Sequence, residues 1–419
     1  MLSKSIFYQL FLISVLFSTF LGYFSGSGLV TYSPLILLMI SIIIIELGYM
    51  EPMKSKDWLA IFIWFPYLVW AGYYYILNPY EDNYLTTYLL IIITLPFVIL
   101  SFIRLRNNIS FNYVDFIYKL ILSFLIAQVL ICIGQISTYV LGFGFSVSEE
   151  QEMYLMVPGT FTNSNDLGAT VLLLSFILIS LEKYLLDRKV FIWCLIVILL
   201  LVSGSRSALL LTSLLFIFTR GLSTKDIITY SIFLILAYIP LSFLLNSSNE
   251  LFVNFSNRIQ SLLIILEGGI GVDNSATLRL KSYIYFLENI FNLGFGSGKL
   301  NDYFKYSYNA NFETELVFQN PHSLIVEIGY WLGIPGLISF AVASLYLFRY
   351  SERKLLLFGV ISISTLIPSS IIGSLVYFLL MVCAFFVAPR TEYKSQKKFY
   401  YSKLECGNNS LGLDNKGVL

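Results

Sequence analysis

Charge is scarce in this chain. Only 12% of its 419 residues are Asp, Glu, Lys or Arg, about half the roughly 25% typical of soluble domains, and the mean hydropathy is +0.78. A soluble globule is excluded. Histidine occurs once, at His322, and the four cysteines (Cys132, Cys194, Cys383 and Cys406) form no C-x-x-C or ligand-spaced pair. Neither a disulfide framework nor a transition-metal site is expected, and no cofactor or nucleic-acid partner. A repeat of fixed period is missing, as are the paired interrupted helices that mark inverted-repeat transporters.

What the chain has instead is apolar runs, each long enough to cross a hydrocarbon core of about 30 Å. They fall at about 6–24, 29–49, 58–77, 84–103, 114–141, 166–185, 190–203, 206–222, 226–246, 322–348, 355–372 and 373–389. The pattern predicts an all-α polytopic membrane protein of about 12 transmembrane helices. The first run follows Lys4 without a small-x-small cleavage site and reads as a retained span. Gly333-Ile334-Pro335-Gly336 should bend or break the long tenth run. Lys and Arg collect in alternate loops: Lys54 and Lys56; Arg104 and Arg106; Lys183, Arg188 and Lys189; Arg220 and Lys225; Arg349, Arg353 and Lys354. By the positive-inside tendency both termini are cytoplasmic. The chain then divides into a bundle, 1–389, and a polar cytoplasmic tail, 390–419, expected to be disordered. A large extracytoplasmic loop spans 246–321, far longer than an ordinary connection. Within it Leu280, Ile284, Leu287 and Phe291 recur at helical spacing, predicting an amphipathic helix against the membrane or the bundle.

Few groups here can do chemistry. Arg206 is the only basic residue in any short outer loop, in a Ser-Gly-Ser-Arg-Ser turn whose small residues admit a ligand to the backbone. A guanidinium at a helix N-terminus suits a phosphate or pyrophosphate, although an arginine can also snorkel to headgroups there. Arg279 opens the amphipathic stretch, as a second anion contact or as part of a solvated face. Arg258 and Lys281 are weaker versions of the same idea. Asn163 and Asn165 read first as caps of the helix that follows. His322 follows Asn320-Pro321 at a helix start, and an imidazole there is either structural or a base for a hydroxyl proton. Glu327 lies about 140° around the helix from it and is not placed to orient it. Glu46 reads as interfacial.

Four of these strings resemble motifs of the O-antigen ligase/polymerase superfamily, the Wzy and WaaL type of bacterial polysaccharide membrane proteins. They are Gly159-Thr160-Phe161-Thr162-Asn163-Ser164-Asn165; Ser205-Arg206-Ser207-Ala208; Arg279 with the later Leu293-Gly294-Phe295-Gly296; and His322-Ser323, nine residues, then Gly333-x-x-Gly336. The dozen-span topology with a large late outer loop is similar too. The resemblance implies a GT-C-like glycosyltransferase at the outer face of the bacterial inner membrane. Its donor would be a glycan on undecaprenyl pyrophosphate, passed to the hydroxyl of an acceptor glycan, with a chain-length regulator as a conceivable partner. Carried over, Arg206 and Arg279 would hold the donor pyrophosphate and His322 would serve the acceptor hydroxyl. The Ile-, Asn-, Lys- and Tyr-rich composition leans toward a polymerase. The alternatives are a ligase, which differs only in its acceptor, and a lipid-linked sugar flippase or exporter, which would need charges lining a central passage.

Overall fold

The computed structural model describes residues 4–48, 52–77, 83–108, 111–141, 157–161, 163–181, 189–220, 283–284, 286–296, 323–366 and 374–387. Among these the protein is all-helical. Its α-helices are α1 (Ser5–Ser25), α2 (Gly28–Gly48), α3 (Ser55–Phe62), α4 (Phe65–Leu77), α5 (Asn83–Asn107), α6 (Tyr113–Leu141), α7 (Ser164–Leu181), α8 (Lys189–Ser203), α9 (Arg206–Arg220), α10 (Leu324–Leu347), α11 (Lys354–Ser364) and α12 (Leu375–Phe386). A short 3₁₀ turn, Ile290–Leu293, belongs to the expected outer loop.

Among the described residues seven helical stretches are long and apolar enough to cross a membrane: Ser5–Ser25, Gly28–Gly48, Ser55–Leu77, Leu89–Asn107, Tyr113–Thr138, Ser164–Leu181 and Leu324–Tyr350. Phe191–Ser203, Lys354–Ser364 and Leu375–Phe386 are shorter apolar helices. The chain is a multi-pass membrane protein. The expected span 226–246 and the tail lie outside the described residues. The run at 58–77 is two helices rather than one, and Pro66 supplies the cause: it has no N–H to continue the ladder and its ring crowds the carbonyl one turn back.

Two helices make the centre. Every residue of α12, and every residue of α7 but the half-buried Asn165, is buried. A helix that is apolar all round has no face to give to solvent, and these two pack against each other and are ringed by α1, α5, α8, α9 and α11. By contrast α2 turns Leu29, Leu37, Ile44 and Leu47 outward, as a lipid-facing helix does.

The end of the bundle that carries the basic loops is tied by polar contacts. Glu46 is buried. It accepts from Arg104 Nε at 2.7 Å and from Tyr8 OH at 2.5 Å, and pairs again through Arg104 Nη2. One carboxylate thereby joins α1, α2 and α5. Nearby, Tyr350 donates to Asp57 at 2.8 Å and Tyr346 to the Lys56 carbonyl at 3.0 Å, closing α3 onto the end of α10. The opposite end holds the candidate site.

Candidate functional site

The chain enters α7 through Val157–Phe161, and two glutamines of α6 hold it there. Gln135 receives the Gly159 N–H at 3.1 Å and donates to the Gly159 carbonyl at 2.9 Å. Gln128 receives the Thr160 N–H at 3.2 Å and donates to the Thr160 hydroxyl at 2.6 Å. Each side-chain amide thus satisfies a buried strand of backbone that lacks secondary structure of its own. Gly159 has φ +63°, and a Cβ there would sit 2.5 Å from the Gln128 carbonyl oxygen. No other residue fits. The fixed loop delivers Asn163 to the start of α7, where its Oδ1 accepts the Asn165 N–H at 2.8 Å. The expected cap is therefore present, and Asn163 and Asn165 are both half-buried. One residue on, Asp166 is buried.

The first turns of α7 lie against the start of α9. Gly168 approaches so closely that a Cβ on it would meet Ser205 Cβ at 2.5 Å and Ala208 Cβ at 3.0 Å. Ser205 follows Gly204, whose φ of +61° makes the tight reversal between α8 and α9, and its N–H donates to Ser203 Oγ at 3.3 Å. Arg206 is the first residue of α9, with a side chain outside those described. The Gly159–Asn165 string and the Ser205–Ala208 string are therefore neighbours in space. Around them Ser205 Oγ, Thr170 Oγ1 and Thr212 Oγ1 are buried without a hydrogen-bonding partner among the described residues.

The other two strings meet as well. Gly333 breaks α10 with φ +65° and ψ −160°, as expected from Gly333-Ile334-Pro335-Gly336. The Leu332 carbonyl and the Ile334 N–H find partners outside the helix. Trp70 Nε1 donates to the Leu332 carbonyl at 2.8 Å, and the Ile334 N–H donates to the Gly294 carbonyl at 3.0 Å. Gly294-Phe295-Gly296 lies directly on the break. A Cβ on Gly333 would come within 2.5 Å of the Gly294 oxygen, and one on Gly296 within 2.5 Å of the Trp331 oxygen. The two glycine motifs are halves of one backbone crossing. Tyr74 completes it by donating to the Phe295 carbonyl at 2.7 Å and facing the Gly296 carbonyl at 3.2 Å.

Upstream of the crossing the same two segments run side by side. Phe286 packs on Gly329 and Tyr330, and Leu293 on Gly329. At their starts, Tyr283 OH donates to the Leu366 carbonyl at 2.9 Å and the Leu324 N–H to the Thr365 carbonyl at 3.0 Å. Ile284, Leu287 and Phe291 point outward, so this segment shows its apolar face to the surroundings while Phe286 and Leu293 face the bundle. Ser323 is fully buried at the start of α10, its Oγ without a partner among the described residues, and Glu327 is buried one turn on.

His322 precedes Ser323 in the chain, and Arg279 precedes Tyr283 by four residues. His322, Arg279, Arg258 and Lys281 themselves lie outside the described residues. Sequence reasoning passed over Gln128, Gln135, Trp70 and Tyr74. The glutamines left a signal, two amides seven residues apart on one face of an apolar helix. The two aromatics left none among 5 Trp, 30 Tyr and 36 Phe.

Residues 190–341 match the model of a protein family described as O-antigen ligase. Over that stretch the chain is similar to the O-antigen ligase/polymerase superfamily, whose members are membrane enzymes of the glycosyltransferase kind. The matched stretch takes in Ser205–Ala208, Arg279, Leu293–Gly296 and His322–Gly336, and stops short of α4 and of Gly159–Asn165. No curated protein matches the chain.

Proposed function

We propose that the chain is a surface-polysaccharide polymerase of the bacterial inner membrane, acting at the outer face with both termini in the cytoplasm. It transfers a glycan from undecaprenyl pyrophosphate to a hydroxyl of the acceptor glycan. The acceptor oxygen attacks the anomeric carbon of the donor and the polyprenyl pyrophosphate departs. His322 takes the hydroxyl proton. Arg206 and Arg279 receive the charge that develops on the pyrophosphate, and the guanidinium fork matches its oxygens. Asn163 and Asn165 shape the entrance beside Arg206, with Arg258 and Lys281 as outlying basic groups.

One observation carries this reading. Tyr283 and Leu324 are anchored on adjacent carbonyls, so the chain just after Arg279 and the helix just after His322 start from the same point. A base and an anion-binding arginine delivered there fit a single reaction centre. The hydroxyls of Ser205 and Ser323, buried without a partner among the described residues and each next in sequence to a proposed site residue, favour it further, because a buried hydroxyl calls for a partner.

The family description favours a ligase as second reading, with the same chemistry and a terminal acceptor such as lipid A-core. A third reading, an exporter, would need a passage lined by charged groups. Deletion separates all three on a gel of surface polysaccharide. Loss of the polymerase leaves single repeat units on the core, loss of a ligase accumulates long lipid-linked chains, and loss of an exporter leaves lipid-linked units on the cytoplasmic side.

A further inference from the structure

Helix α4 stands outside the stretch similar to the family, yet it supplies two of the hydrogen bonds that hold the glycine crossing. Trp70 Nε1 reaches the Leu332 carbonyl at 2.8 Å and Tyr74 OH the Phe295 carbonyl at 2.7 Å. The Trp70 ring also packs on Phe295, with centroids 5.8 Å apart, and on Tyr74 at 5.3 Å. In an apolar setting a broken helix must have its freed backbone groups satisfied from elsewhere. Among the described residues a further tie across the crossing, Ile334 N–H to Gly294 at 3.0 Å, is backbone to backbone, and the side-chain ties come from α4.

We propose that Trp70 and Tyr74 are positioning residues for the transfer reaction, an inference that rests on the function proposed above. They clamp the segment that follows Arg279 to the helix that follows His322 and so hold the arginine and the base at one separation. Without the clamp the two segments still touch through Phe286 and Leu293 and keep the Ile334–Gly294 bond, and the crossing is held less tightly. A displacement of about 1 Å between reacting groups costs on the order of 100-fold in rate.

The test uses the full chain in nanodiscs. Trp70→Phe with Tyr74→Phe keeps both rings and removes both donors. Spin labels at Phe291 and Ile338, both exposed, report the distance across the crossing in a chain whose four cysteines are replaced by serine. Turnover is measured in parallel, with and without His322→Ala. The clamp predicts one narrow distance population in the parent and a broadened one in the variant. It also predicts a fall in kcat of about 10- to 100-fold when His322 is present and no further fall when it is absent, since residues that act through one group are not additive. An unchanged distance distribution overturns the proposal. So does a broadened one with unaltered kcat, or with equal falls in both backgrounds. If His322→Ala is itself fully active, the assignment of the base fails, and the clamp is then decided by the distances and by kcat alone. If the double variant does not insert, Tyr74→Phe by itself, which loses one oxygen, is read in the same way.

Discussion

Tyr283 and Leu324 are far apart in sequence and side by side in the fold. The Tyr283 hydroxyl and the Leu324 N–H donate to the carbonyls of consecutive residues, Leu366 and Thr365, at 2.9 and 3.0 Å. The end of α11 is thus a fixed point for two segments whose preceding residues carry the proposed chemistry. The pair then travels together to the break at Gly333, where α4 meets it.

The crossing leaves no room for side chains, and Gly333 also needs a positive φ. Gly333→Ala should lower stability by about 2–4 kcal/mol, combining left-handed strain with overpacking. Gly72→Ala is the control, because nothing lies within 4 Å of a Cβ there and a helix interior prefers alanine. Thermal unfolding of the two purified variants in detergent measures the difference. Equal midpoints would contradict the close approach.

The glutamine cradle makes a second expectation. Gln135→Leu leaves the Gly159 N–H and carbonyl buried without partners, at about 1–3 kcal/mol for each unsatisfied group. Gln135→Glu keeps an acceptor for the N–H but loses the donor to the carbonyl, and should also be destabilised. Unfolding midpoints rank the variants, and an unperturbed Leu variant would show that the loop is held in some other way.

At the basic end, Arg104→Ala should cost about 3–5 kcal/mol, because it leaves the Glu46 carboxylate buried without its cation. Lys119→Ala, which breaks the ion pair with Asp115 whose side chains are 71% and 42% exposed, should change stability by less than about 1 kcal/mol. Similar losses in the two variants would contradict the buried lock.

How much of this could be read from residues alone depends on the range of the interaction. Seven membrane-length apolar helices and the break in α10 were legible, since apolar period and Gly-Ile-Pro-Gly are local signals. The cap at Asn163 was legible for the same reason. That Gly333 needs Gly296 opposite it was not, because each glycine taken singly fits an ordinary turn. The partners of Glu46 were not legible either: nothing near it in sequence announces Arg104 and Tyr8. The span at 58–77 was legible as one membrane-length stretch, although the break between α3 and α4 beside Pro66 was not. The resemblance to a family placed the glycine motifs in order without saying that they touch.

For Arg206, replacement by lysine should remove most activity, as a point ammonium does not reproduce a two-pronged contact, and replacement by alanine should abolish it while the protein still inserts. Complementation of a deletion strain, scored by the ladder of surface polysaccharide, checks both. A full ladder from Arg206→Ala would leave the arginine a headgroup anchor.

The most direct test of the account is the role of His322. Purified protein in liposomes is given an undecaprenyl-pyrophosphate-linked oligosaccharide, and glycan lengthening is timed for His322→Ala and His322→Gln. A base that takes the acceptor proton predicts that both variants lose roughly 10²–10⁴-fold in turnover while still binding the donor. Near-normal turnover in His322→Gln, which keeps a hydrogen bond but cannot accept the proton, would contradict it and reduce His322 to a structural residue at the start of α10.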